Sequence, residues 1–208
     1  MAHSLPRVLL ALLGFAPIGA LCIALFGLVP LHVSARFLVL PAAVLAIAIG
    51  WRYPRWGRVA LVGFVAGMGA TAVYDVLRLA LVAVGVWPDF IPPIGQLALQ
   101  DPGAHPVWGY VWRFFGNGGG MGMTFALLPW RSVRAGMIYG VAICVCLYVT
   151  LLFGPGVQER LFPLTAVTAA AAMAGHLDYG AVLGWLVKRW LPAGDTAAQA
   201  LPAPIAVQ

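Results

Sequence analysis

Apolar residues run along the chain in six stretches, at 8–29, 37–51, 59–86, 107–128, 133–153 and 162–187, and the segments between them hold most of the charge. About 20 consecutive apolar residues cross the hydrocarbon core of a bilayer as an α-helix, so each stretch predicts a transmembrane span. The second is short, with Pro41 near its start, and the third is long and interrupted by Asp75 and Arg78. The fourth carries Arg113 and a glycine cluster; the sixth has Pro163 in its first turn, where proline is tolerated. A membrane barrel would alternate apolar and polar residues, whereas these runs are apolar on all sides. The expected fold is all-α: a polytopic transmembrane helix bundle of about six spans, forming one domain over 1–192.

Basic residues orient the bundle. With the N-terminus inside, the inner segments hold Arg7, Arg52, Arg55, Arg58, Arg131, Arg134, Lys188 and Arg189, and the outer segments hold only Arg36 and Arg160. Cytoplasmic loops are enriched in Lys and Arg, so both termini are expected on the cytoplasmic side. The first run exceeds the usual ~7–15 residues of a signal-peptide core and reads as a retained helix. The segment 87–106 contains Pro88, Pro92, Pro93, Pro102 and Pro106, which forbid one continuous helix. It is expected to lie on the outer interface, anchored by Trp87, Phe90 and Trp108. The Ala- and Pro-rich tail 193–208 is expected to be disordered in the cytoplasm.

Composition agrees. Of 208 residues, 62% are hydrophobic and 9% charged, against about 25% charged in soluble domains. The net charge of +6 is spread between apolar runs and forms no basic stripe, which excludes nucleic acid as a partner and leaves the lipid bilayer. Cys22, Cys144 and Cys146 all lie inside apolar runs and read as small hydrophobic fillers.

Charges inside a membrane cost about 2.5–3.5 kcal/mol each on insertion scales and mark candidate sites. Asp75, Arg78, Arg113 and Asp178 are such charges, and His176 joins them. Asp75 and Arg78 are three apart and share a helix face. The depths allow an Asp75–Arg113 or an Asp75–Arg78 bridge, with Asn117 one turn from Arg113 and the Tyr74 hydroxyl nearby. This predicts a polar cluster between the third and fourth spans, either a packing ion pair or a binding or transport site. His176, Asp178 and Tyr179 form a second candidate group, placed in the inner half of the sixth span. His176 aligns there with Tyr179 and faces away from Asp178. His176 is either a histidine bonded across helices or a protonatable relay.

Glycine pairs at i,i+4, Gly63/Gly67, Gly116/Gly120, Gly118/Gly122 and Gly180/Gly184, predict close helix contact. The density in the fourth span also fits an unwound segment lining a cavity. No metal or cofactor is expected. Only His176 lies deep in a span, and His32 and His105, both in outer loops, would need Asp89 or Asp101 to complete a metal site. Tyr74-Asp75 and Asp178-Tyr179 hint at an inverted repeat.

The segments Tyr74-Asp75-Val76-Leu77-Arg78-Leu79, Arg113-Phe114-Phe115-Gly116-Asn117-Gly118 and Gly175-His176-Leu177-Asp178-Tyr179-Gly180-Ala181-Val182-Leu183-Gly184, in that order, resemble a group of uncharacterised bacterial multi-span membrane proteins. The chain departs from that group at Arg113, where a histidine is more typical. The resemblance implies a bacterial inner-membrane setting and no particular activity. Three functions stay open: a small ion or solute transporter using the polar cluster; a non-catalytic structural or accessory subunit with a membrane-protein partner or a second copy; and a lipid or quinone enzyme. The absence of any nucleophile elbow, phosphate loop or zinc-protease motif places the enzyme last.

Overall fold

A computed structural model describes residues 4–191. The tail 193–208 lies outside the described residues. The fold is all-helical, with no strand among them. Eight helical units follow the chain: α1 (Leu5–Leu25), α2 (Leu31–Arg52), α3 (Pro54–Ala83), α4 (Ile91–Leu99), α5 (106–127), α6 (Val133–Phe153), α7 (Val157–Arg160) and α8 (Ala166–Trp190). Of these, α1, α2, α3 and α6 are long and apolar enough to cross a membrane.

Sequence determines where the helices bend. Pro17 removes a backbone donor from α1, which breaks at Phe15. Pro41 likewise removes the N–H that would serve the carbonyl of Phe37, and the preceding residues Ala35–Val39 widen into a π-turn. α2 begins earlier than the apolar run suggested, at Leu31, so His32 and Arg36 lie on a helix and not in a loop. Pro92 and Pro93 occupy the first turn of α4, where missing donors are harmless, so the proline-rich segment contains a helix. Pro163 falls before α8; Thr165 caps that helix by accepting from the Thr168 N–H.

The segment 87–106 also differs from an interfacial loop. Trp87 is 2% exposed and packs edge-on against Phe162 at 5.3 Å, with Phe90 beside both. These aromatics plug one end of the bundle. Of the three expected anchors, only Trp108 is exposed.

Glycine lets the central helices touch backbone to backbone. A Cβ at Gly67 would collide with Gly118 and Gly122, and one at Gly63 with Gly122 and Ala126. Rising numbers on α3 meet falling numbers on α5, so the pair is antiparallel. α6 and α8 are antiparallel too: Gly136 faces Gly180 and Gly184, and Gly140 faces His176. The α3–α8 contact, Tyr74 against Gly175 and Gly69 near Leu186, completes a core of α3, α5, α6 and α8. The glycine cluster of α5 is a π-helical stretch (Trp112–Gly119), hydrogen-bonded rather than unwound. Outside this core, α1 is fastened by the Thr124 hydroxyl, which donates to the carbonyl of Ala11 at 2.8 Å.

Gly67→Leu should separate α3 from α5. A thermal or denaturant unfolding series in detergent should show a loss of about 1–3 kcal/mol or more, the range for overpacking. The same change at Gly19, where no atom stands within 4 Å of a Cβ, should leave stability unchanged.

Candidate functional site

Asp75 is 4% exposed and Arg78 is completely buried, one turn apart on α3. One carboxylate oxygen does most of the work. Asp75 Oδ1 accepts from Arg78 Nε at 3.0 Å, from Arg113 Nε at 2.7 Å and from Arg113 Nη2 at 2.5 Å. Both bridges available to Asp75 from the sequence therefore form together. Arg78 spends its other nitrogens on Asp89 Oδ1 at 2.8 Å and on the Tyr110 hydroxyl at 2.8 Å. Two acids and two arginines cancel, and the network ties α3, the segment before α4, and α5.

Aromatic faces cover the arginines. The Arg113 guanidinium lies 4.5 Å from the Tyr74 ring centre, and Arg78 lies between Phe90 and Tyr110 at 5.5 and 5.8 Å. A desolvated cation over a ring gains about 2 kcal/mol. Asp75 Oδ2 and Asn117 Oδ1 are buried without a hydrogen-bond partner among the described residues.

The second candidate group converges on the first. His176 meets Tyr74 edge to face, with ring centres 5.4 Å apart, and its Nδ1 lies 2.7 Å from the carbonyl of Ala172. The Tyr179 hydroxyl donates to the carbonyl of Gly118 at 3.0 Å. Because α8 starts at Ala166, His176 and Tyr179 stand level with Tyr74 and Gly118, and not deeper toward the inner end as the apolar run implied. A cavity of about 30 Å³ lies between α3, α5 and α8, lined by Tyr74, Arg113, Asn117, Met121, His176 and Tyr179 among others. That volume suits one water molecule. Asp178 stands apart, on the exposed outer face of α8, as its spacing from His176 required.

No protein-family model, no curated protein and no solved structure matches the chain.

Asp89 and Tyr110 are partners that the sequence did not single out. A fully buried arginine demands acceptors, and the acid closest to the end of the third apolar run was the available signal. The Gly136/Gly140 pair of α6 has the same four-residue spacing as the other glycine pairs and makes the same kind of close contact. Asp89 is taken by Arg78, and among the described residues no three His, Cys, Asp or Glu side chains group together, around His32 and His105 or elsewhere. His105 Nε2 instead lies 3.2 Å from Asp101 Oδ2 in an exposed loop. Asp101 accepts from the backbone N–H of Gly103 at 2.9 Å, which, with His105 nearby, holds its carboxyl below the usual range.

Asp75→Asn should leave two buried guanidiniums short of charge. Breaking a buried pair from one side costs about 3–5 kcal/mol. Unfolding measured in bicelles should show a loss near that size, whereas Asp101→Asn, in the exposed loop, should change stability by less than about 0.5 kcal/mol.

Proposed function

We propose that the chain is a six-span protein of the bacterial inner membrane, with both termini cytoplasmic, acting as a non-catalytic structural or accessory subunit. α5 and α8 fall short of the apolarity of the other four long helices; they carry Arg113, Asn117, His176 and Asp178, and α5 also a run of glycines. Three of those four residues turn inward. The outer faces of both helices still present large apolar side chains, such as Phe115 at 54% and Trp185 at 56% exposure. At 25 residues, α8 is about 37 Å long, enough to cross a ~30 Å core. The antiparallel order of α3, α5, α6 and α8 fits alternating spans, and the balance of basic residues supports the orientation.

One observation carries the accessory reading. The intramembrane charges at Asp75, Arg78 and Arg113 are paired inside the bundle, while Asp178, at the midpoint of α8, is exposed on the outer face and has no ion pair among the described residues. A carboxyl group held against lipid is unfavourable by about 2.5–3.5 kcal/mol on insertion scales. A partner helix offering a donor would remove that penalty. The paired network also argues against a conduction path through Asp75.

A photo-crosslinking residue at Ala174, one turn from Asp178 on the same exposed face, tests this in native membranes. The expected product is a covalent adduct with a single polypeptide of defined mass, reduced several-fold by Asp178→Leu. Adducts with lipid alone would sink the reading.

Transport remains a second reading, favoured by the cavity of about 30 Å³ beside His176 and by Asp75 Oδ2, which has no hydrogen-bond partner among the described residues. Proton or ion flux in liposomes that is abolished by His176→Ala, with folding intact, would move the assignment to this reading.

A further inference from the structure

α2 is the loosest of the apolar helices: only 11% of its most apolar window is buried, against 50% for α3. It touches α3 closely at one end, where Gly50 meets Gly57 backbone to backbone just before and after the Tyr53 turn. Away from this pivot the two helices part. The space between α2 and the bundle is a groove of about 1100 Å³, walled by α1, α2, α3 and α5 and closed at the far end by Ala98, Leu99 and Trp108.

We propose that this groove binds an anionic glycerophospholipid, its acyl chains laid along α2 and its phosphate at Arg58. The lining is apolar along its length, through residues such as Leu13, Val39, Leu61, Phe64 and Phe115, and Arg58 is its single charged member among the described residues. Arg58 is exposed at the pivot end, and the exposed Arg52 lies at the same end. Basic side chains at a membrane surface attract anionic headgroups, so the charge complements a phosphate where a headgroup would sit. Positions 35–50 of α2 cover about 22 Å at the helical rise. Half of a ~30 Å core is about 15 Å, so an acyl chain fits at full extension. The volume stands at the upper end of ordinary ligand pockets, about 300–1,000 Å³, which suits two chains better than one small molecule.

The inference is independent of what Asp178 meets, because α8 takes no part in the groove. The test uses the full chain in nanodiscs holding equal phosphatidylglycerol and phosphatidylcholine, transferred to mild detergent and weighed by native mass spectrometry. The wild type should retain phosphatidylglycerol about fivefold or more over phosphatidylcholine, in keeping with headgroup attraction by clustered basic residues. Arg58→Gln should bring the two lipids to about parity. Ala46→Phe, which fills the groove from α2, should lower retention of both by about fivefold, with far-UV circular dichroism confirming the helical fold. Should Ala46→Phe fail to fold, the more exposed Ala43→Phe serves the same purpose. A wild type that carries no lipid, that holds both lipids equally, or that is copied by the groove-filling variant would overturn the proposal. A second polypeptide retained in place of lipid would overturn it as well.

Discussion

An ionised group in a low-dielectric bundle must meet its counter-charge or not be ionised at all, and the core of this protein is arranged around that constraint. A single oxygen, Asp75 Oδ1, receives two guanidiniums from two helices. Everything nearby follows from the need to hold those guanidiniums. Asp89 reaches back from the segment before α4 to take the remaining charge of Arg78, Tyr110 takes another of its donors, and aromatic rings occupy the flanks where water would otherwise compete.

Close approach of the helices makes this possible. An ion pair between α3 and α5 at 2.7 Å requires the two axes to be near, and the glycines at 63, 67, 118 and 122 remove the side chains that would keep them apart. The π-helical stretch of α5 carries Arg113 and Asn117, and its Gly118 carbonyl accepts from the Tyr179 hydroxyl of α8. Packing and electrostatics are one design here: neither the glycine contacts nor the charge network would persist without the other. On the opposite side of α3, where α2 has no such glycine seam beyond Gly50 and Gly57, the helices separate and leave apolar space.

Much of this was legible from the chain. Hydrophobic run length located each long helix among the described residues, and four of these are apolar enough to cross a membrane. The spacing of Asp75 and Arg78, and the depth of Arg113, were enough to bring them together. The i,i+2 relation of His176 and Asp178 correctly separated an inward from an outward residue. Helix ends were less legible, because capping at Thr165 and the prolines at 92 and 93 decide them locally, against the average hydropathy. That four-residue error in the start of α8 is what placed His176 too deep. The burial of Trp87 and Phe90 was not legible either, since an aromatic residue at a span end serves equally as an interfacial anchor or as a plug, and only the position of Phe162 decides.

The central claim is that Asp75 and Arg113 are energetically coupled as the hub of the bundle. A double-mutant cycle with Asp75→Asn and Arg113→Gln, read by reversible unfolding in bicelles, measures that coupling directly. The account predicts an interaction of about 1.5 kcal/mol or more, within the range for residues of one salt-bridge network, with the double variant less damaged than the sum of the single ones. Strict additivity, with coupling below about 0.3 kcal/mol, would contradict it and reduce the network to a by-product of glycine packing.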